Sequence, residues 1–357
     1  MKYDYSIMVE DLLQWFYENA RELPWRGQKN PYYIWVSEIM LQQTRVEAVK
    51  EYFLRFIREL PDVEALAEVK EDKLLKLWEG LGYYNRVKNM KKAAMQIVEQ
   101  YKGKLPADYE ELLKLKGIGT YTAGAVASIA YEIPVPAVDG NVLRVTKRLA
   151  ASYDDIAKAS VKKELEETLK EIIPKGQAGA FNQSLMELGA VVCLPNGAPL
   201  CEKCPVQKYC QAYQNDIVME VPVKTKKKAR VIEEKTVFLI EYQKKYALHK
   251  RGRTGLLAGL WELPNIDGKY KEEQVRELLL KEQLPVVQIC SLGEAKHIFT
   301  HKEWHMQGYA IKISSEAAKS MDKNNKFSPI VWADKEEIKE KYALPSAFCA
   351  YQKYIEK

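Results

Sequence analysis

Histidine is scarce in this sequence, and the first 248 residues contain none. The only four occupy the C-terminal third: His249, His297, His301 and His305. Acid–base chemistry in the first two thirds of the chain must therefore use carboxylates, tyrosine, lysine or cysteine.

Long apolar runs are also missing. No stretch of about eighteen apolar residues occurs, which excludes an obvious membrane-spanning helix. The opening MKYDYSIMVEDLLQWF carries acids where a secretion signal would be basic. We therefore expect a cytoplasmic protein without membrane contact.

The composition is that of a globular protein, with 47% apolar and 29% charged residues. A length of 357 residues suits two domains, each large enough to bury its own core. The net charge of +6 is a weak indication of a polyanionic partner, because a small basic excess is common on solvated surfaces.

The pattern of apolar residues changes near the middle of the chain. Over residues 1–215 it is helical, with short Pro and Gly turns. Residues 216–233 contain the basic stretch VPVKTKKKARV, which predicts a linker. Over residues 234–357 the period becomes two, as in KTVFLIEY, with helical stretches such as KEEQVRELLLKEQL. We predict an all-α domain followed by an α+β domain.

Glu38 is the first candidate catalytic residue. The segment PYYIWVSEIMLQQTRVEAVKEYFLRFIREL is predicted to form one helix after Pro31, and Glu38 interrupts its apolar side. Burial among apolar neighbours raises the pKa of a carboxyl group, which would let Glu38 stay protonated and serve as a general acid. The alternative is a surface glutamate with an ordinary pKa.

A helix-hairpin-helix is predicted over about residues 108–131, in DYEELLKLKGIGTYTAGAVASIAY. Gly117 and Gly119 bracket a tight connection that has no side chain to keep a partner away. The free N–H groups at the start of the second helix suit a DNA phosphate, whatever the base sequence. A GxG between helices is by itself often only a turn.

Asp139 is the second candidate carboxylate. The extended segment PVPAV leads to it, and it precedes the helix GNVLRVTKRL as a predicted N-cap. A helix N-terminus lowers the pKa of a carboxyl group, so we expect Asp139 to be ionised while Glu38 is protonated. One acid and one carboxylate are the groups that break a glycosidic bond.

Four of the six cysteines lie within one segment, residues 193–210: Cys193, Cys201, Cys204 and Cys210. Such a cluster in a reducing compartment indicates a metal site before a disulfide framework. The spacing alone is compatible with zinc or with an iron–sulfur cluster.

The motifs VSEIMLQQTRV, WEGLGYYNR, LKGIGTYTAGAV and AVDGNV, together with the cysteines, resemble the MutY-type adenine DNA glycosylases. The resemblance is dense over residues 10–215. It implies that Glu38 protonates adenine at N7, that Asp139 stabilises the oxocarbenium ion or attacks C1′, and that Asn141 and Tyr121 support them. It further implies a [4Fe–4S] cluster on the four cysteines, although the first gap is one residue longer than usual.

The same resemblance implies residues that bind the substrate. The residues expected in the adenine pocket are Leu23, Trp25, Arg26 and Gln183. Gln43 and Tyr83 would wedge into the base stack, and extraction of the base would cost a few kcal/mol, least at a mismatch. Related endonuclease III-type enzymes carry a lysine where this chain has Tyr121, so we expect no strong strand-cutting step.

The C-terminal half, with GLLAGLWELPN and VRELLLKEQL, resembles a Nudix fold that has lost its metal-binding acids. Leu280 and Lys281 stand where those acids belong, and Gln283 replaces the glycine, so we expect no pyrophosphate hydrolysis. The resemblance implies recognition of 8-oxoguanine by Phe299, Thr300 and His301. Alternatively, His297, His301 and His305 lie on one face of a β-hairpin.

We therefore expect a monomeric enzyme that acts on double-stranded DNA containing an A:8-oxoguanine or A:G mismatch. Two alternatives remain open on the sequence. An endonuclease III-like glycosylase-lyase is disfavoured by Tyr121, and a non-catalytic mismatch sensor would need neither Glu38 nor Asp139.

Overall fold

The computed structural model describes residues 3–225, 229–282, 284, 286–321, 327 and 329–355. Residues 226–228 of the predicted linker and Gln283 lie outside that description. Within the described part, no helix is long and apolar enough to cross a membrane.

The α-helices are numbered along the chain. They are α1 (Val9–Asn19), α2 (Pro31–Leu41), α3 (Val46–Glu59), α4 (Val63–Glu68), α5 (Glu71–Leu77), α6 (Asn85–Tyr101), α7 (Tyr109–Lys114), α8 (Thr120–Tyr131), α9 (Gly140–Leu149), α10 (Ala159–Lys170), α11 (Ala178–Val191), α12 (Gln211–Gln214), α13 (Glu272–Lys281), α14 (Ser315–Met321), α15 (Lys335–Lys341) and α16 (Cys349–Gln352). The strands are β1 (Val231–Tyr242), β2 (Lys245–Lys250), β3 (Trp261–Glu262), β4 (Asn265–Asp267), β5 (Val286–Ile298), β6 (Lys302–Ile313) and β7 (Ile330–Ala333).

The chain forms two compact units. One comprises Met1–Glu68 and Asn85–Lys227, and the other comprises Val69–Tyr84 and Lys228–Lys357. The first unit is helical and the second contains all seven of the strands described, which confirms the predicted succession of fold classes. The segment Val69–Tyr84 was expected in the helical domain, yet it packs with the second unit.

The predicted long helix after Pro31 is in fact two helices. α2 begins at the N-cap Asn30, whose side chain accepts a hydrogen bond from the Tyr32 N–H, and it ends at Leu41. Gln43 then adopts a left-handed conformation, with φ at 60°, which breaks the helix before α3 begins. The apolar period continues across this break, so periodicity could not detect it.

Small residues bring α8 close to the segment that carries Asp139. A Cβ atom placed on Gly124 would lie 2.2 Å from the Pro136 backbone oxygen. Asn182 of α11 fixes the same segment, because its Oδ1 accepts a hydrogen bond from the Ala137 N–H at 2.9 Å. The approach of α8, α11 and residues 134–138 therefore positions the N-terminus of α9.

The second unit is built on one mixed sheet, with strand order β3-β2-β1-β6-β5, β4 beside β1 and β7 beside β2. β1 and β6 are parallel, and the other pairs are antiparallel. Alternate residues of β1 enter different hydrophobic clusters, Phe238 and Ile240 in one, Val237 and Leu239 in the other. Both faces of the central strand are therefore buried.

The predicted linker is partly packed. Its residues before 226 pack within the first unit, where the Ile156 N–H donates to the Val223 oxygen at 3.1 Å and Arg148 Nε donates to the Val221 oxygen at 3.0 Å. β1 begins at Val231, inside the segment expected to be linker.

Candidate active site

One cavity of about 590 Å³ in the helical unit contains most of the residues predicted to act on the substrate. The predicted residues that line it are Leu23, Trp25, Arg26, Glu38, Gln43, Tyr121, Asp139, Asn141 and Gln183. They come from segments separated by up to about half of the chain, which the fold brings together. Tyr83, Phe299, Thr300 and His301 belong to the other unit.

Glu38 lies on α2 and is 6% exposed. Its pKa is raised to about 7 as the net result of several effects: burial and the negative charge of Asp139 raise it, and a hydrogen bond donated by the Tyr121 hydroxyl lowers it. The expected rise in the pKa of Glu38 is therefore present. A carboxyl group with this pKa is protonated in a large fraction of molecules near neutral pH.

Asp139 is the N-cap of α9, as predicted. Its Oδ1 accepts from the Val142 N–H at 2.8 Å, and its Oδ2 accepts from Asn141 Nδ2 at 2.8 Å. These hydrogen bonds lower the pKa of Asp139, but burial outweighs them and the net shift is upward. The expectation of a lowered pKa is wrong, because it considered the helix end without the loss of solvent.

Asn141 is held by a residue that the sequence analysis missed. Arg144, one turn later on α9, donates from Nη2 to Asn141 Oδ1 at 2.9 Å and to the Gly189 oxygen at 2.8 Å. Its Nε donates to the Cys193 oxygen at 2.8 Å. The i, i+3 spacing from Asn141 on a predicted helix was the available signal.

A second missed residue fixes Arg26. Glu187 of α11 has a side chain only 2% exposed and accepts from Arg26 Nη2 at 2.8 Å and from Arg21 Nε at 2.6 Å. Burial raises the pKa of Glu187, but the two arginines outweigh it and bring the pKa down to about 2. The predicted pocket arginine is therefore paired with an ionised carboxylate.

The hairpin is formed as predicted, between α7 and α8. Gly117 has φ at 79°, which favours glycine, and a Cβ there would lie 2.7 Å from Asn89 Cβ. Gly119 is the N-cap of α8, and a Cβ there would meet no described atom within 4 Å. Gly117 is thus required by the turn, whereas Gly119 leaves the helix N-terminus open to an approaching group.

The four clustered cysteines line one cavity of the helical unit, beside Arg148. Arg148 Nη1 lies 3.2 Å from Cys193 Sγ. Burial raises the pKa of Cys201 and Cys210, and that of Cys204 to about 12. Among the described residues, no three His, Cys, Asp or Glu side chains are placed to hold a single metal ion.

In the second unit, Thr300 lies in the β5–β6 hairpin and its hydroxyl is 3.2 Å from that of Tyr83. Phe299 packs its ring 4.9 Å from that of Trp304 and 4.6 Å from that of His297. The loop is also held by Arg230 Nε, which donates to the Phe299 oxygen at 3.1 Å. Phe299 is thus an internal anchor of the loop, while Thr300 reaches Tyr83.

The histidines of this hairpin do not share one face. His297 pairs with Trp304 and His305 pairs with Lys296, so the two imidazoles lie on opposite faces of the sheet. His301 is in the turn and exposed. The prediction that these histidines lie in a β-hairpin is confirmed. The prediction that they share one face of it is wrong.

Comparison with known proteins identifies both units. Residues 36–174 match the HhH-GPD superfamily of base excision DNA repair proteins, and residues 236–354 match the NUDIX domain. The chain is 33% identical to the adenine DNA glycosylase of Mus musculus over 88% of this chain and 72% of that protein. It is 34% identical to that of Buchnera aphidicola subsp. Baizongia pistaciae over 83% of each.

The chain belongs to the adenine DNA glycosylase family.

This glycosylase is therefore a base excision repair enzyme that hydrolyses N-glycosidic bonds, as the resemblance implied. Its helical unit is also similar to solved structures. A thermostable thymine-DNA glycosylase matches with 29% identity and a TM-score of 0.52, over 58% of this chain and 96% of that one. A trapped endonuclease III–DNA covalent intermediate matches with 27% identity and a TM-score of 0.51, over 59% and 96%.

Proposed function

We propose that this glycosylase removes adenine from double-stranded DNA opposite 8-oxoguanine or guanine, working as a monomer in the cytoplasm. One observation supports this proposal most strongly: the buried Glu38 accepts a hydrogen bond from Tyr121 and lines the same cavity as Asp139. A non-catalytic mismatch sensor would not need two carboxyl groups in one pocket.

The reaction uses Glu38 as general acid. Its proton passes to N7 of adenine, and the electron pair of the C1′–N9 bond leaves with the base. The carboxylate of Asp139 stabilises the oxocarbenium ion at C1′. Water then adds its hydroxyl group to C1′, and its proton replaces the one that Glu38 gave.

Asn141 and Tyr121 position the two carboxyl groups. Asn141 donates to Asp139 and is itself held by Arg144, so the orientation of the carboxylate is fixed before substrate binds. Tyr121 donates to Glu38. A phenol forms no Schiff base with the sugar aldehyde, so the strand is left uncut until alkali or another enzyme acts.

Leu23, Trp25, Arg26 and Gln183 form the adenine pocket. Trp25 is held edge-on to Phe53, with ring centroids 5.3 Å apart, and Arg26 is held by Glu187. Rigid aromatic and charged groups of this kind suit a flipped base, which is recognised by stacking and by hydrogen bonds to its edge. The exposed side chain of Gln43 enters the stack.

The second unit recognises the base opposite adenine. The hydroxyls of Tyr83 and Thr300 are 3.2 Å apart and form a paired polar edge. His301 is exposed beside them and Phe299 holds the loop. On α13, Leu280 is 65% exposed where a metal-binding acid of a Nudix hydrolase would stand, which supports recognition rather than hydrolysis.

The four cysteines hold a [4Fe–4S] cluster. They line one cavity of the helical unit, and four thiolates are the ligands that such a cluster uses. Arg148 Nη1 lies 3.2 Å from Cys193 Sγ, where its positive charge would face the negative charge of a bound cluster. A bound cluster would cross-link residues 193–210. Analysis of purified protein should find about four iron atoms and four sulfides per chain.

The hairpin contacts DNA phosphate through the backbone N–H groups after Gly117 and Gly119. Phosphate contacts position the protein on DNA but carry no sequence information. Selectivity therefore comes from contacts with the flipped base and with the opposite base.

The test of the proposal is the release of free adenine from duplexes with one adenine opposite 8-oxoguanine, guanine or thymine, analysed with and without alkali. We expect adenine release opposite the first two and strand breaks only after alkali. Rapid nicking without alkali, or release of damaged pyrimidines instead of adenine, would favour a glycosylase-lyase.

A further inference from the structure

Arg86, in the first turn of α6, binds the C-terminal end of the helix that carries Glu38. Its Nη1 donates to the backbone oxygens of Ile39 at 2.8 Å, Met40 at 3.1 Å and Gln42 at 2.5 Å. The last carbonyl groups of a helix have no partner within the helix. The guanidinium therefore supplies hydrogen-bond donors to the last carbonyl groups of α2 and to the carbonyl group of the first residue beyond it.

The residues after α2 form a tight turn with a specific shape. Thr44 N–H donates to the Leu41 oxygen at 3.2 Å, Gln42 has φ −58° and ψ 109°, and Gln43 has φ 60°. These angles are those of a type II turn, whose third residue is usually glycine. Gln43 is therefore held in a conformation that its side chain disfavours, and something must stabilise it.

Arg86 supplies that stabilisation. In a type II turn the central carbonyl group belongs to Gln42, and this carbonyl accepts the guanidinium of Arg86. A type I turn would rotate the same peptide by about half a revolution and would remove the acceptor. Arg86 thus favours the one peptide orientation that gives Gln43 its left-handed conformation and its exposed direction.

We propose that Arg86 is a positioning residue that sets the Gln42–Gln43 peptide and so directs the Gln43 side chain into the base stack during adenine extraction. The inference rests on the proposed function, in which Gln43 enters the stack. Arg86 does not line the catalytic cavity, so it acts on the reaction only through the residues it binds. Lysine cannot replace it, because an ammonium group lacks the planar fork that contacts several carbonyl groups at once.

The experiment compares two substrates under single-turnover conditions. In one duplex adenine is paired with 8-oxoguanine, and in the other it faces an abasic-site analogue, so that no partner holds it. We expect Arg86→Lys to slow adenine release by about 10-fold or more on the paired substrate, the order of loss that a small misplacement produces. On the unpaired substrate we expect a loss below about 3-fold, because extraction there costs less.

A double-mutant cycle identifies the residue through which Arg86 acts. Gln43→Ala should show the same dependence on pairing, and the double variant should be no slower than Gln43→Ala alone. Equal loss on both substrates, losses that multiply in the double variant, or a Gln43→Ala variant without effect would each overturn the inference. A wild type that releases no adenine would overturn the proposed function itself.

Thermal unfolding of each variant verifies its fold. If Arg86→Lys does not fold, Arg86→Gln takes its place with the same expectations, because its amide keeps N–H donors for one carbonyl. Lys92→Gln, which removes one exposed charge from the same helix, is the control for charge and should leave the ratio between the two substrates unchanged.

Discussion

Tyr121 donates a hydrogen bond to Glu38 from the first turn of α8. Burial raises the pKa of Glu38 to about 7, and this hydrogen bond is the largest opposing effect. The acid must be protonated to act, so the rate of adenine release should fall as pH rises through that pKa.

Tyr121→Phe should move this fall in rate to higher pH. The substitution keeps the ring that buries Glu38 and removes the hydrogen bond that lowers its pKa, so the pKa should rise further. Single-turnover rates measured from about pH 5 to about pH 9 would show the shift. A fall at lower pH than in the wild type would contradict the assigned contact.

Glu187→Gln should destabilise the protein at neutral pH, and the destabilisation should shrink in acid. The folded pKa of Glu187 is about 2, below the ordinary value near 4.3, so its stabilisation is fully present above that ordinary value and is lost as pH falls toward about 2. Denaturant unfolding of both proteins between about pH 7 and about pH 3 measures this. A difference that grows in acid would show that the ion pairs with Arg21 and Arg26 are not its source.

At the residue scale, the sequence predicted the candidate catalytic residues that line the cavity, but it did not predict the residues that hold them in place. Glu38 interrupts an apolar stripe and Asp139 precedes a helix, and both signals are local. Glu187 reaches Arg21 across 166 residues, and no local pattern marks such a pair. The sign of the pKa shift at Asp139 was also wrong, because burial depends on the whole fold.

At the scale of elements, the site depends on how closely α8 approaches the segment before α9. Gly124 permits that approach, whereas Gly119 leaves the end of α8 open. Gly124 lies within α8 and Gly119 is its N-cap, so alanine substitutions at the two positions test the close packing and the open helix end separately.

Gly124→Ala should lower the stability, because the added Cβ meets the Pro136 backbone oxygen and overpacking of this kind costs about 1–3 kcal/mol. Gly119→Ala should leave the melting temperature nearly unchanged and weaken DNA binding, since its Cβ would stand where a phosphate approaches. Thermal unfolding and DNA-binding measurements on both variants would check this. An unchanged melting temperature for Gly124→Ala would contradict the close contact.

Some boundaries of helices could be predicted from the sequence and others could not. The helix-hairpin-helix was predicted because glycines mark its turn. The break between α2 and α3 has no Gly or Pro in residues 42–45 and depends instead on Arg86, which is some forty residues away. Contacts distant in sequence overrode a continuous helical period there.

At the scale of the whole molecule, the segment Val69–Tyr84 associates with the second unit although the helical domain surrounds it in sequence. Lys76 Nζ donates to the oxygens of Ile338 and Tyr342, each at 3.1 Å. Glu79 accepts from the Leu344 N–H at 2.7 Å. The same segment ends at Tyr83, whose hydroxyl meets that of Thr300.

Lys76→Met should weaken the preference for 8-oxoguanine over guanine opposite adenine, because it loosens the segment that brings Tyr83 to Thr300. Lys70→Met, at an exposed lysine of the same segment, is the control and should retain the preference. The measurement is the ratio of single-turnover rates on the two mismatches. If the ratio in Lys76→Met equals that of the wild type, this segment does not contribute to recognition of the opposite base.

The most direct test of the central claim is single-turnover release of adenine opposite 8-oxoguanine by the wild type and by Glu38→Gln, as a function of pH. We predict that the wild-type rate falls above about pH 7, that strand breaks require alkali, and that Glu38→Gln releases no adenine at any pH while still binding the duplex. Adenine release by Glu38→Gln at a rate near that of the wild type would contradict the assignment of Glu38 as the general acid.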